Sequence, residues 1–89
     1  MSKKEEQFLD LKIVSREKKV WEGKASFLLV PALDGDVGLM FGHAPFLSPL
    51  RDGRIDVKTD EGTTSLSVKK GIVHVSSNVV SLLVEENID

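Results

Sequence analysis

The sequence consists of short apolar segments bounded by turn-forming residues, and this spacing constrains the fold more than any other feature. Apolar and polar side chains alternate over residues 9–13, 54–58 and 64–68, which is the period of a strand with one buried face. Turn signals recur roughly every ten residues, and no segment shows the period of a long amphipathic helix. This arrangement predicts an all-β fold, an antiparallel sandwich or barrel.

Three pairs of segments have turn residues between them, and we predict a hairpin for each: residues 9–13 with 20–21, residues 54–58 with 64–68, and residues 71–75 with 79–84 across the turn pair 77–78. Residues 27–30 form a continuous apolar run, which predicts a core strand that stops at Pro31. Residues 34–49 contain three glycines and two prolines, so we expect shaped loops and very short strands there. Lys69 and Lys70 are expected to form a solvated turn.

Length and composition limit the class of protein. Eighty-nine residues with 40% hydrophobic and 29% charged side chains suit one globular domain with a modest core. We assign residues 1–7 to a charged N-terminal tail, residues 8–85 to the β domain and residues 86–89 to a C-terminal end. The formal charge of −2 is spread along the chain, which argues against nucleic-acid binding. We expect neither an export signal nor a membrane-spanning segment, because no apolar run has the required length.

The titratable residues do not form a recognisable catalytic or metal site. His43 and His74 are the only histidines, and without cysteine a zinc site would need both of them plus carboxylates from distant loops. His74 alternates with valines, so we expect it to point away from the core, towards solvent or a partner. Asp34 and Asp36 flank a glycine and are interpreted as turn formers rather than catalytic carboxylates. No phosphate-binding glycine loop is present, and we predict no catalytic, cofactor or metal site.

Two further features allow alternatives. Trp21 is the only tryptophan, and we interpret it as partly buried packing, with a partner contact as the alternative. Lys69 and Lys70 raise the alternative of an all-β carrier domain, in which a lysine at the tip of a tight hairpin is modified. The apolar and acidic residues that usually flank such a lysine are lacking, so the carrier interpretation ranks second.

Residues 34–47, DGDVGLMFGHAPFL, resemble the acidic-glycine stretch followed by Pro-Gly-His-Ala-Pro-Leu-Leu of F-type ATP synthase epsilon subunits. The resemblance covers nearly the whole chain. Residues 11–15 (LKIVS) are similar to the family's opening strand, and residues 21–23 (WEG) to its aromatic-x-Gly turn. Residues 50–55 (LRDGRI) are similar to its Leu-Lys-Pro-Gly-x-(Val/Ile) motif, and residues 71–75 (GIVHV) to its Gly-Gly-(Phe/Ile)-Leu-Glu-Val segment.

The resemblance implies a flattened antiparallel β-sandwich of about ten short strands without catalytic chemistry of its own. It implies a place in the central stalk of the ATP synthase, where the subunit docks on the gamma subunit, rests on the c-ring and couples the two during ion-driven ATP synthesis. Asp36, Gly42, His43 and Pro45 match motifs in or near the c-ring-facing loops. Membrane contact would be indirect, through a complex at the cytoplasmic face of the bacterial plasma membrane or the equivalent face of an organelle inner membrane.

The sequence departs from the family pattern in several places. Phe41 and Asp52 stand where the family usually has proline, and Lys69 and Lys70 replace a Ser-Gly pair. Family members usually continue into two C-terminal helices that carry regulatory inhibition and, in some members, ATP binding. The sequence ends at Asp89, so the resemblance implies a short form in which these functions are absent.

Overall fold

The computed structural model describes residues 7–87, which form eight strands and contain no helix. The strands are β1 (Leu9–Val14), β2 (Lys19–Ala25), β3 (Phe27–Ala32), β4 (Gly35–Leu39), β5 (Phe46–Leu50), β6 (Gly53–Thr59), β7 (Gly62–Ser76) and β8 (Val79–Asn87). Within the described range there is accordingly no helix with the length and apolarity needed to cross a membrane. Residues 1–6 of the expected tail and residues 88–89 of the expected C-terminal end lie outside the described residues.

The strands form one hydrogen-bonded sheet that folds into two layers around a core, which confirms the predicted all-β sandwich. The five-stranded layer has the order β2-β1-β8-β7-β5, and the four-stranded layer has the order β4-β3-β6-β7. Both layers contribute fully or almost fully buried side chains to the core, among them Leu11, Ile13, Leu28, Val30, Ile55, Val57, Val73, Val75, Val80 and Leu82. Because every second residue of a strand faces the core, alternation in the sequence predicts which side chains are buried.

Strand β7 is shared by the two layers, so the described residues contain eight strands, whereas about ten were expected. Residues 62–68 of β7 pair with β6, whereas residues 71–75 pair with β5 and β8. The register between β7 and β8 is the same on both sides of Lys70, since Lys69 pairs with Glu86 and Gly71 with Val84, but Lys70 itself is not paired. The single strand β7 therefore belongs to both layers.

Lys69 and Lys70 lie inside β7, so the solvated turn predicted for them is wrong. The backbone changes direction here without leaving the strand, because φ is 38° at Lys70 and 149° at Gly71. Asp52 stabilises this corner, since its carboxylate Oδ1 accepts a hydrogen bond from the Lys70 N–H at 3.0 Å. Neither lysine lies at a hairpin tip, so the carrier alternative loses the geometry that it requires.

Lys70→Gly is expected to stabilise the fold by about 1 kcal/mol, because glycine adopts a positive φ without the steric cost of a Cβ. Lys69→Gly is the matched control, since Lys69 is not among the residues with positive φ. The control should cost about 0.5–1 kcal/mol, as glycine does inside a strand. Urea unfolding followed by the fluorescence of Trp21 measures the change in the free energy of unfolding for both variants. If both variants lost the same amount of stability, the backbone at Lys70 would not be strained.

Two details of the strand arrangement differ from expectation. β1 and β8 run parallel, with Leu11 opposite Val80, although all strand pairs were expected to be antiparallel. Parallel neighbours need a long connection, and here most of the domain lies between the two strands. β3 also continues through Pro31 instead of stopping there. The Pro31 carbonyl accepts a hydrogen bond from the Arg51 N–H at 2.9 Å, so the backbone keeps a partner where proline offers no donor.

Four further expectations for local structure are confirmed. β1 with β2, β6 with β7, and β7 with β8 form the three antiparallel hairpins. Ser77 and Asn78 have φ values of 51° and 64°, as in a type I′ turn, which matches the twist of a two-residue hairpin. β4 and β5 are the very short strands expected in the glycine- and proline-rich region. Trp21 is half-buried against the core, with its ring over Gly23, which confirms the packing interpretation.

Candidate functional site

The outward side of the five-stranded layer carries exposed apolar side chains, where solvent-facing strand positions are ordinarily polar. Four strand residues on this side are large, apolar and about half exposed or more: Leu47 (69%), Ile72 (49%), Val79 (48%) and Leu83 (52%). Leu33 in the β3–β4 turn is 58% exposed. Its N–H donates a hydrogen bond to the Pro49 carbonyl at 3.0 Å, which places Leu33 next to β5. We call this surface the apolar face, and it is formed by Val14, Leu33, Leu47, Pro49, Ile72 and Leu83.

Strand register brings four of these side chains into one row, whereas the neighbouring outward row, formed by Leu47, His74, Ser81 and Lys12, is mostly polar. Ile72 on β7 lies between Pro49 on β5 and Leu83 on β8. Leu83 in turn lies opposite Val14 on β1, so the row crosses four adjacent strands. The row borders an open groove of about 760 Å³, which Arg16 also lines. Continuous apolar surface of this kind marks an interaction site, because water otherwise covers it at a free-energy cost.

Paired charges bound the apolar face along the edge strand β2. Lys19 donates a hydrogen bond to Glu22 at 2.7 Å, and Lys24 donates one to Asp10 at 3.0 Å. The hydrogen bond from Lys19 lowers the pKa of the Glu22 carboxyl, and the positive charge of Lys19 adds to the effect. All four side chains are more than half exposed, so these ion pairs contribute little stability and weaken in salt. Their effect is to make this edge polar and to confine the apolar surface to the other strands.

The outward side of the four-stranded layer exposes its apolar groups less, since Phe27, Leu29 and Pro31 on β3 are intermediate or buried and polar side chains surround them. The Ser65 hydroxyl on β7 donates to Asp56 Oδ1 on β6 at 2.7 Å, and Thr63 lies opposite Lys58. Within residues 7–87, no strand of this layer carries an exposed large apolar side chain on its outward side. The difference between the two sides shows that the apolar face is a local feature and not a general property of the surface.

Gly42, His43 and Pro45 lie together in the 40–45 turn, the connection between β4 and β5. The His43 N–H donates to the Met40 carbonyl at 3.0 Å, and Gly42 has a φ of 88°, which is the pattern of a type II turn. Phe41 occupies the second position of this turn, where proline is favoured in general, and its side chain is exposed. The turn therefore presents Met40 and Phe41 to solvent next to the imidazole.

The two histidines have different surroundings. The His43 Nδ1 lies 2.7 Å from the Ala44 carbonyl oxygen, to which it donates, and its ring packs edge-on against Phe46 with the ring centroids 5.8 Å apart. His74 points outward from β7 opposite Ser81, which confirms that it faces away from the core. In the part of the chain that the structure describes, no three His, Cys, Asp or Glu side chains are grouped so as to hold a metal ion.

Asp36 is placed apart from the 40–45 turn, on the early part of β4 opposite Pro31. Its carboxylate Oδ1 lies 2.5 Å from Nη2 of Arg51, whose Nε donates to the Ala32 carbonyl at 2.9 Å. The guanidinium thus holds the carboxylate against the end of β3. Asp34 lies in the β3–β4 turn as expected, whereas Asp36 is already in the strand. Of the four residues matched to c-ring-facing loops, Gly42, His43 and Pro45 therefore lie in one turn, and Asp36 lies apart from it in an ion pair.

The apolar face is the feature that sequence reasoning missed, although a signal for it exists. Residues 79–84 (VVSLLV) place Val79 and Leu83 on the opposite side of β8 from the core residues Val80 and Leu82. A strand with one solvated side would carry polar residues at those outward positions. Large apolar residues at two outward positions, 79 and 83, with polar Ser81 between them, indicate that part of the second side meets a partner.

Comparison with known proteins identifies a family. The model of the ATP synthase delta/epsilon chain β-sandwich domain matches residues 8–89. The chain is 35% identical over 78 residues to the ATP synthase epsilon chain of Streptomyces coelicolor, covering 86% of this chain and 63% of that one. It is 41% identical over 75 residues to the ATP synthase epsilon chain 1 of Methylococcus capsulatus, covering 82% of this chain and 53% of that one. The chain thus spans between 53% and 63% of the length of these curated relatives.

Solved structures contain the same fold. A chain of the Euglena gracilis mitochondrial ATP synthase, solved as OSCP/F1/c-ring, superposes with a TM-score of 0.85 at 18% identity, covering 91% of this chain and 52% of that one. A chain of the Tetrahymena thermophila mitochondrial ATP synthase, solved as central stalk/c-ring, superposes with a TM-score of 0.79 at 12% identity, covering 91% of this chain and 66% of that one. At such identities the likeness shows the fold alone.

Proposed function

Because the chain belongs to the family of ATP synthase delta/epsilon chain β-sandwich domains, we propose that it acts as an epsilon subunit in the central stalk of an F-type ATP synthase. In this role the domain docks on the gamma subunit, rests on the c-ring and couples the two during ion-driven ATP synthesis. It is a non-catalytic part of the complex, and it forms and breaks no bond. The similarity to bacterial ATP synthase epsilon chains, and to chains of ATP synthases solved with the central stalk or c-ring, supports this assignment.

The observation that carries the proposal is the apolar face, which we assign to the gamma subunit. Ile72 and Leu83 are about half exposed at its centre, where a protein partner would remove them from water. The molecule measures 39 × 24 × 19 Å, so its broad side is large enough for the roughly 800 Å² that a standard interface buries on each partner. The groove is open rather than enclosed, which suits a protein surface better than a small ligand.

We place the c-ring contact at the 40–45 turn, with Gly42, His43 and Pro45, and at Asp36. The positive φ of Gly42 and the fixed φ of proline define the shape of the turn. The ion pair with Arg51 orients the exposed Asp36 carboxylate, which would meet polar loops of the ring. Loops held on a two-layer scaffold keep their geometry under load, as transmission of torque requires.

The same proposal gives the location of the domain. As part of the rotor it would lie at the cytoplasmic face of the bacterial plasma membrane, or at the equivalent face of an organelle inner membrane. Its association with the membrane would be peripheral and would depend on the complex, since its own partners would be the gamma subunit and the c-ring.

Leu83→Glu is expected to weaken binding to the gamma subunit by about 100-fold, because it replaces an apolar contact at the centre of the interface with a carboxylate that must be removed from water. The chain is co-expressed with a gamma subunit and c-ring from one genome, purified by a tag on gamma, and weighed by native mass spectrometry. The unchanged chain should be retained at one copy per gamma subunit. Thr63→Glu is the matched control, since Thr63 lies on the polar outward side of the other layer opposite Lys58.

The outcomes distinguish the proposed epsilon role from the assignment of the apolar face to the gamma subunit. Retention of both variants would show that gamma binds elsewhere than on the apolar face. Loss of the unchanged chain from the complex would contradict the epsilon role itself, and the carrier alternative would then be tested by an intact-mass shift at Lys69 or Lys70.

A further inference from the structure

The 40–45 turn is hydrogen-bonded to a hairpin that is distant in sequence. The Gly42 N–H donates to the side-chain oxygen Oδ1 of Asn78 at 2.7 Å, across a separation of 36 residues. Gly42 is the third residue of its own turn, and its N–H lies next to the His43 N–H that closes the turn onto Met40. The bond therefore fixes the turn at its centre and not at one of its ends.

Asn78 is itself held by two other elements. Its carbonyl oxygen accepts a hydrogen bond from the Asp10 N–H of β1 at 2.9 Å. Its φ of 64° places it in the type I′ turn between β7 and β8, a conformation that asparagine tolerates better than most residues. On either side of that turn, Val75 and Val80 are fully buried in the core. The backbone of Asn78 thus has a fixed position relative to the core. The hydrogen bond that its side chain accepts from Gly42 holds the 40–45 turn relative to that position.

We propose that Asn78 is a positioning residue, which aligns His43 and Pro45 for the partner that the 40–45 turn meets. The proposal rests on the proposed function, in which that partner is the c-ring. A turn that carries Met40 and Phe41 exposed to solvent has few contacts of its own to hold it. The hydrogen bond from Gly42 to Asn78 supplies one contact, and the packing of His43 on Phe46 supplies another.

Two substitutions separate the side chain of Asn78 from its backbone role. Asn78→Gly keeps the positive φ but removes the acceptor for the Gly42 N–H. Asn78→Asp keeps both an acceptor oxygen and a residue type that tolerates this turn. Amide hydrogen exchange of Gly42 in the full 89-residue chain, measured by NMR, reports the bond directly. We expect exchange about tenfold faster in Asn78→Gly and near the unchanged rate in Asn78→Asp, in line with the worth of one hydrogen bond.

Binding to purified c-ring and to gamma subunit is then measured separately for the three proteins. We expect Asn78→Gly to bind the ring about tenfold more weakly and the gamma subunit unchanged, because the apolar face is not altered. Asn78→Asp should bind both partners like the unchanged chain. A residue that merely stabilised the fold would weaken both interactions together, and that result would overturn the positioning role.

Equal ring binding by Asn78→Gly and the unchanged chain would also overturn the inference. If the unchanged chain itself fails to bind the ring, the ring contact of the proposed function is wrong and the positioning role falls with it. The exchange rate of Gly42 in Asn78→Gly would still decide whether the side chain holds the turn, so the two failures are distinguishable.

Discussion

Gly71→Ala is expected to unfold much of the protein, with a loss of at least about 3 kcal/mol of stability. A Cβ at this position would lie 2.1 Å from the Leu83 carbonyl oxygen and 2.8 Å from the Val84 Cα. Both obstacles are backbone atoms of β8, so the clash is relieved only if β8 moves away from β7. A φ of 149° adds strain for any residue with a side chain. Small domains have about 3–5 kcal/mol of net stability, so the loss approaches the total.

Gly62→Ala is the control that isolates the contribution of the backbone angle. Gly62 has a φ of 127°, but a Cβ there would meet no heavy atom within 4 Å. We therefore expect a loss of about 1 kcal/mol, from backbone strain alone. Urea unfolding, followed by Trp21 fluorescence and by circular dichroism, gives both free energies. If the two variants lost equal stability, the close approach of β7 to β8 at Gly71 would not matter for the fold.

Ile55→Ala is expected to cost about 2–5 kcal/mol, because Ile55 is fully buried and its truncation leaves a cavity in the core. Ile72→Ala makes the same chemical change on the apolar face, where the side chain is 49% exposed. It should cost less than about 1 kcal/mol, since it leaves no cavity and loses only strand propensity and part of the burial. The pair compares a residue that holds the domain together with one that is available to a partner.

Two measurements on this pair make the contrast testable. Unfolding in urea should show the large loss for Ile55→Ala alone. Capture by tagged gamma subunit, compared under conditions in which both variants are folded, should show the loss for Ile72→Ala alone. A large loss of stability in Ile72→Ala would mean that the apolar face is part of the core, and it would remove the physical basis for assigning this surface to a partner.

Local signals in the sequence predicted the strands and their hairpins. Alternation over residues 9–13 and 54–58 identified which side chains face the core, because the geometry of a strand allows only two sides. The pair Ser77-Asn78 identified a hairpin turn, since asparagine tolerates the positive φ that a two-residue connection needs. The 40–45 turn was also predictable, because Gly42 and Pro45 define it within a few consecutive residues.

The same local signals failed where the structure depends on distant residues. Two lysines followed by glycine indicated a turn, yet Lys70 lies within β7, stabilised by Asp52 at a separation of 18 residues. Asp36 was interpreted as a turn former beside glycine, and its ion pair with Arg51 joins residues 15 apart. Charge and glycine content do not specify which of these partners a side chain meets.

The sequence by itself determined the class of fold, the three hairpins, the inward side of each strand and the absence of a recognisable catalytic motif. These properties follow from backbone geometry and from the period of the side chains, which act over a few residues. Only the tertiary structure decided that β1 and β8 pair in parallel, that β7 bends between the layers, and that Val14, Pro49, Ile72 and Leu83 on four strands form one apolar row. Each of these depends on strand order and register between distant segments, which are fixed by packing around a common core and not by any local pattern.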